Sequence, residues 1–333
     1  YTLTNEQGVS ASFTNFGAIW LTMSVPDKNG QFDDVILGYD SVDSIQTQPG
    51  HPGEPVGRNA NRIGGAKFTL NGVTYELAKN SAEVNNLHSG PDYYRDRIWD
   101  AEVEETALGT TITFGLHSPD GDQGYPGNAD ITVSYTLTPD NCLKLDYHMV
   151  SDADTIANFT NHVYFNLGGY KSGSALDQKV WIDADYFTAT DANSIPTGEL
   201  VAVKGTPMDF TEMKPIGRDI QEDYQALKYG NGYDHNWALN HPAGELSLSA
   251  KAEDEKTGRT MEVYTDLPGV QFYTANSLKT ERGKNHAVYT PRCGYCFETQ
   301  YFPDAINKPE FASPVIKAGE EYKTTTIYKF GVK

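Results

Sequence analysis

Hydrophobic and polar residues alternate with period two along much of the chain. Phe68, Leu70, Val73, Tyr75 and Leu77 are spaced this way about Asn71-Gly72, a dipeptide suited to a two-residue hairpin turn. Ile131, Val133, Tyr135 and Leu137 repeat the spacing, and Leu143, Leu145, Tyr147 and Met149 continue it beyond the turn signal Pro139-Asp140-Asn141. Leu246, Leu248, Ala250 and Ala252 alternate once more before the polar turn at Lys256-Thr257-Gly258. Successive strand side chains point to opposite faces, so these stretches predict antiparallel strands with one face on a core and one toward water. Helical spacing is confined to short pieces near 41–44 and 217–227. The pattern predicts an all-β chain, a large antiparallel β-sandwich read as a single domain, with loops at one edge carrying the site.

Two polar-centred stretches stand out. In residues 158–167 (NFTNHVYFNL), a strand would place Asn158, Thr160, His162, Tyr164 and Asn166 on one face, too polar for core and too aromatic for plain surface. In residues 297–307 (FETQYFPDAIN), Glu298 is a carboxylate in otherwise apolar and aromatic company, where glutamate is seldom buried unless paired or employed. Each has a plainer reading: a structurally satisfied histidine, and a glutamate pointing outward from an alternating strand. Brought together in one cleft, the two would form an acid–base pair able to take a proton from one oxygen and give one to another without a cofactor.

Composition narrows the partners. The formal charge of −19, from 45 acidic against 26 basic residues, argues against nucleic acid or an anionic membrane surface and leaves a neutral small molecule open. Hydrophobic content is only 38%, but aromatics at 12% restore buried area to the core. No apolar run approaches the ~20 residues needed to span a bilayer. Cys142, Cys293 and Cys296 are too few and odd in number for a disulfide framework, and a reducing, cytoplasmic setting fits them. Cys293 and Cys296 form a lone C-x-x-C and are read as small buried or half-buried thiols. The chain begins at Tyr1 rather than Met, which leaves room for a removed leader.

Other polar clusters carry weaker signals. Residues 57–65 (GRNANRIGG) lack the Lys-Ser/Thr of a phosphate-binding loop and read as an array of donors, Arg58, Asn59, Asn61 and Arg62, for hydroxyl groups. Residues 85–90 (NNLHSG) and 233–237 (YDHNW) place polar groups next to aromatics without the close histidine spacing of a metal site. Asp120-Gly121-Asp122-Gln123-Gly124 lacks the ligand pattern of a calcium loop and reads as a turn. Gly-x-Ser-x-Gly is absent, which removes the commonest signal for a serine hydrolase.

Taken together, seven ordered blocks make the chain resemble the aldose 1-epimerases, the galactose mutarotases: 57–71 (GRNANRIGGAKFTLN), 86–90 (NLHSG), 118–127 (SPDGDQGYPG), 158–167, 234–237 (DHNW), 268–276 (PGVQFYTAN) and 297–307. The closing Gly319-Glu320-Glu321-Tyr322 is similar as well. The resemblance implies one β-supersandwich domain over residues 1–333, acting as a cofactor-free, metal-free monomer or homodimer on free monosaccharides such as galactose and glucose. By position, Glu298 would be the general base on the C1 hydroxyl and His162 the general acid on the ring oxygen. His88 would lie near the ring oxygen or C1, with Asn61, Arg62, Asp234, Gln271 and Tyr164 as further substrate-binding residues. Asn59 and Ser89 depart from the family pattern and are expected to flank the pocket and bear on sugar preference. The Ala60–Ile63 stretch (ANRI) favours a free sugar over a hexose phosphate. The alternatives are a hexose-phosphate or other sugar epimerase, a glycosidase using Glu298 with Asp234, and a catalytically silent sugar-binding module.

Overall fold

The computed structural model describes residues 1–333, whose regular structure is mostly antiparallel strand with only two short α-helices. A nine-stranded sheet runs in the order Asp100–Thr106, Gly109–Ser118, Ala129–Leu137, Cys142–Ser151, Glu321–Val332, Arg259–Thr265, Ser247–Glu253, Lys179–Ile182 and Lys214–Pro215. A five-stranded sheet runs Pro196–Ala202, Tyr186–Thr190, Asp234–Ala238, Gly269–Tyr273 and Cys296–Gln300. A four-stranded sheet over Thr2–Asp34 and several two-stranded ribbons complete the architecture.

The two large sheets meet face to face. Tyr328 of the nine-stranded sheet donates from its hydroxyl to the carbonyl of Phe297 (2.9 Å), and Thr326 and Thr299 share a hydroxyl contact at 2.6 Å. One cluster of 54 buried hydrophobic residues, from Leu3 to Phe330, fills the space between layers. The sandwich expected from the alternation is the observed fold.

Local detail follows the local signals in most places. Lys67–Leu70 pairs with Val73–Glu76 about Asn71 (φ 52°) and Gly72 (φ 79°), the two positive φ values that a tight hairpin turn requires. Ser41 caps the helix Val42–Thr47 by accepting from the Ser44 N–H at 3.1 Å.

Three expectations are corrected. The helix expected over 217–227 covers only Gln225–Gly230, because the backbone donors of Ile216 and Gly217 go sideways to Gln178 and Leu176. The alternation at 246–252 is broken by a register shift between Leu248 and Ala250; Leu246 is left exposed outside the strand, while Ser249 and Ala250 are both buried. Residues 158–167 do not form one strand with a polar and an apolar face. Only Thr160–Asn161 forms a ladder, with Pro55–Val56; Asn158 and Phe165 make isolated bridges, and all ten residues are buried. Their polar groups face partners on both sides: Asn161 donates to the Gly53 carbonyl (3.2 Å) and Asn166 to the Cys293 carbonyl (2.8 Å).

Candidate active site

Strand register builds one wall of the site. Asn236, Gln271 and Glu298 lie opposite one another across three neighbouring strands, as do Asp234, Tyr273 and Cys296. Residues opposed or two apart share a face. The five-stranded sheet therefore turns Trp237, Phe272 and Phe297 to the core and presents Asp234, Gln271, Tyr273, Cys296 and Glu298 on its other side. The 158–167 segment crosses that polar side, anchored by Asn158, which accepts from the Tyr301 N–H at 2.9 Å.

A second wall comes from the short ladder Arg62–Ile63 with Asn86–Leu87. Asn61 (φ 62°) and His88 (φ 53°) both sit in the left-handed region, a strained geometry tolerated where the surroundings impose it. Here they lock each other: His88 N–H donates to the Asn61 carbonyl (2.9 Å), and Asn61 N–H donates to His88 Nδ1 (3.1 Å). Because Nδ1 accepts, the neutral ring carries its hydrogen on Nε2.

These walls enclose a cleft of about 250 Å³. Asn61, Arg62, His88, His162, Tyr164, Asp234, Gln271 and Glu298 all line it, so the eight catalytic and substrate-binding residues implied by the family resemblance converge there. The volume lies below the ~300–1,000 Å³ of drug-sized ligand pockets and suits one small ring. A larger surface depression, about 910 Å³, lies beside Asp185, Lys204 and Arg218 but brings no imidazole to a carboxylate.

Within the cleft, His162 Nε2 lies 3.6 Å from Glu298 Oε1, with both side chains nearly inaccessible. Glu298 Oε2 and Arg62 Nε are buried without a partner in the protein, leaving polar capacity for a ligand. Burial pushes the Glu298 carboxyl well above its ordinary range, the Asp234 charge adds to this, and Arg62 opposes it. Burial pushes the His162 imidazole down to about 3, reinforced by His51 and opposed by Glu54. Both shifts disfavour the charged forms, an ionised Glu298 and a protonated His162. His88 is likewise held well below its ordinary value by burial and stays uncharged. Asp234 accepts from Gln271 Nε2 at 2.8 Å, which aims both toward the cleft.

Donor atoms of His88, His162 and Glu298 lie within 4.8 Å of one another, a grouping with metal-ligand proximity. The Asn61 N–H on His88 Nδ1 works against that use. A metal on Nε2 would require the ring hydrogen to move to Nδ1, where it would face another donor.

The model of the aldose 1-epimerase family matches residues 1–329. This chain belongs to that family. It is 40% identical over 320 residues to a galactose mutarotase from Bos taurus, covering 96% of this chain and 90% of the relative. It is 38% identical over 344 residues to an aldose 1-epimerase from Haemophilus influenzae, covering 99% and 94%. The crystal structure of an aldose epimerase homologue from C. elegans superposes with a TM-score of 0.89 at 26% identity, covering 99% of this chain and 98% of that one.

Relative to the expectations for this aldose 1-epimerase family chain, two residues of the donor array move out of the site. Arg58 is fully buried and donates to the Pro126 carbonyl (2.8 Å) and Ser118 Oγ (3.0 Å). Asn59 N–H donates to Ser89 Oγ (3.0 Å), and that hydroxyl reaches Tyr125 (2.9 Å). Asn59 and Ser89 are therefore scaffold partners rather than cleft-lining groups. Conversely, sequence reasoning missed His51, Tyr273 and Ser277, all of which line the cleft. Tyr273 falls inside the 268–276 block and was within reach; His51, between glycines and prolines, carried no local signal. Cys296 proves to sit behind the acid–base pair, its Sγ 3.5 Å from His162 Nδ1. No helix of the chain is long and apolar enough to cross a membrane.

Proposed function

We infer that this enzyme interconverts the α and β anomers of a free aldohexose, with galactose and glucose as the sugars of choice, and that the chain acts as one functional unit. The observation carrying the residue assignment is the 3.6 Å approach of His162 Nε2 to Glu298 Oε1 inside a small cleft lined by hydroxyl-binding side chains.

With the proton of the pair on His162 and Glu298 a carboxylate, Glu298 takes the proton from the C1 hydroxyl, the C1–O5 bond breaks as the C1 carbonyl forms, and O5 takes the proton from His162. Rotation about C1–C2 presents the other carbonyl face. O5 then attacks C1, its proton returns to His162, and Glu298 returns a proton to the anomeric oxygen. No proton is gained or lost over the cycle. In the open-chain state both side chains are neutral, the form that burial in this cleft favours, so the protein environment offsets part of the cost of the aldehyde. His88 Nε2–H serves as an uncharged donor to the oxygen on which charge develops. Arg62, Asn61, Asp234, Gln271 and Tyr164 hold the ring in register with the pair. The glycosidase alternative pairs Glu298 with Asp234, but Asp234 accepts from Gln271 Nε2 at 2.8 Å and the group facing Glu298 at 3.6 Å is an imidazole.

Optical rotation of freshly dissolved α-D-galactose and α-D-glucose tests this reading. The folded protein should bring both to anomeric equilibrium much faster than the blank, and no acceleration would refute the assignment for these sugars.

A further inference from the structure

The cleft holds a third imidazole that the acid–base pair does not use. His51 lies between the helix Val42–Thr47 and the strand Pro55–Val56, lines the cleft, and keeps 18% of its side chain exposed. Its Nδ1 is 2.7 Å from Glu54 Oε1. Glu54 is only 2% exposed, and its other oxygen accepts from Arg95 Nη1 at 3.3 Å. Arg95 is fixed in turn by the Gly50 carbonyl (2.9 Å) and by the Tyr93 ring, 4.8 Å from the guanidinium carbon.

A carboxylate only accepts, so the short contact puts a hydrogen on His51 Nδ1. Arg95 Nη1 also lies 3.3 Å from that nitrogen, a longer approach of two donors that the carboxylate bridges. Burial alone would raise the Glu54 carboxyl, but His51 and Arg95 outweigh it and keep the group below its ordinary range, hence a carboxylate. The ring is thereby held in one orientation with Nε2 left over. Nε2 makes no hydrogen bond within the protein, and it is not sealed from the cleft. It accepts when the ring is neutral and donates when charged, and a hydroxyl can meet either state. A buried carboxylate clamped by a guanidinium to aim one imidazole is a costly arrangement for a residue with no task in the cleft.

Its place in the cleft selects the hydroxyl. The His51 ring is centred 5.4 Å from His162 and 5.2 Å from His88, whereas Asp234 and Gln271 stand on the sheet beside Glu298. The cleft thus has an acid end and a base end. With O5 at His162 and the C1 hydroxyl at Glu298, the other carbon bonded to O5 is C5, and its exocyclic CH2OH runs toward the acid end.

We propose that His51, oriented by Glu54 and Arg95, hydrogen-bonds the exocyclic hydroxyl on C5 and makes the site selective for aldohexoses over sugars that lack it. The proposal rests on the mutarotase reading with His162 at O5. His51 is a specificity-determining residue, and Glu54 is a positioning residue acting through it.

The test compares kcat/KM for D-galactose and 6-deoxy-D-galactose by polarimetry in the wild type, His51→Phe and Glu54→Gln. A site built to bond a hydroxyl should favour the wild-type hexose by roughly 10- to 100-fold. His51→Phe should abolish the preference by lowering galactose alone, mainly through KM, and Glu54→Gln should move the ratio the same way. Equal losses on both sugars in His51→Phe would mark a structural role and overturn the proposal. A wild-type ratio near one would overturn it without any variant. No turnover of either sugar by the wild type would overturn the mutarotase reading itself, and the inference with it.

Discussion

Replacing Glu298 by glutamine removes a proton acceptor while leaving its shape in place. Glu298 is 2% exposed, its Oε1 lies 3.6 Å from His162 Nε2, and its Oε2 has no partner within the protein. Burial holds the carboxyl well above its ordinary range and disfavours its charged form, so a neutral amide of equal length costs little folding free energy. The expected change in stability is below about 1 kcal/mol, a shift of only ~1–2 °C in Tm for a chain of this size. The effect on turnover is of another order. A positioned general base supplies ~10²–10⁴-fold, which corresponds to about 2.7–5.4 kcal/mol of barrier at 1.36 kcal/mol per tenfold. Polarimetry on fresh α-D-galactose, with the buffer-catalysed rate subtracted, should show Glu298→Gln losing kcat by that factor with KM changed far less. A folded variant within about tenfold of wild-type kcat would refute Glu298 as the base.

The remaining predictions concern protonation, the neutral histidine and the scaffold. The pair works with one shared proton: acid adds a second to His162 only near its depressed value of about 3, and alkali removes the one on Glu298 only above the ordinary glutamate range. The kcat/KM profile should therefore carry no histidine acid limb at the ordinary value of 6.5, and loss of activity on protonating His162 there would contradict it. His88→Ala should lower kcat by ~10²–10³ through loss of the Nε2–H donor. It should leave both pH limbs in place, because His88 is uncharged; a shifted acid limb would assign it a proton-transfer role instead. Arg58→Lys should destabilise the fold by about 3–5 kcal/mol in urea unfolding, since one ammonium cannot replace the fork that reaches Pro126, Thr155 and Ser118. Its kcat should stay within a few-fold of wild type, as Arg58 does not line the cleft; a loss below about 1 kcal/mol would refute the scaffold role.

The sequence by itself determined the class of fold and pointed to eight of the residues that line the cleft. The hairpin at 67–76 and the long strands over 129–151 were legible because strand formation there depends on alternation and turn residues a few positions apart. The eight expected site residues were legible through ordered blocks that resemble a family, and all eight face one cleft. Only the tertiary structure decided which neighbours in a block face the sugar. Arg58 and Asn59 turn to the scaffold while Asn61 and Arg62 turn to the cleft, because Asn61 takes a left-handed φ of 62° imposed by its lock with His88. The fully buried segment 158–167 was misread as a two-faced strand, since period-two polarity does not reveal that both sides will be covered. His51, Glu54 and Arg95 gave no local sign at all. Their triad forms where a loop meets a distant turn, just as His162 meets Glu298 only because the 158–167 segment crosses the sheet that carries Glu298. Periodicity records which face of an element is buried against water, whereas the convergence of side chains is set by long-range register and loop packing, which no local pattern encodes.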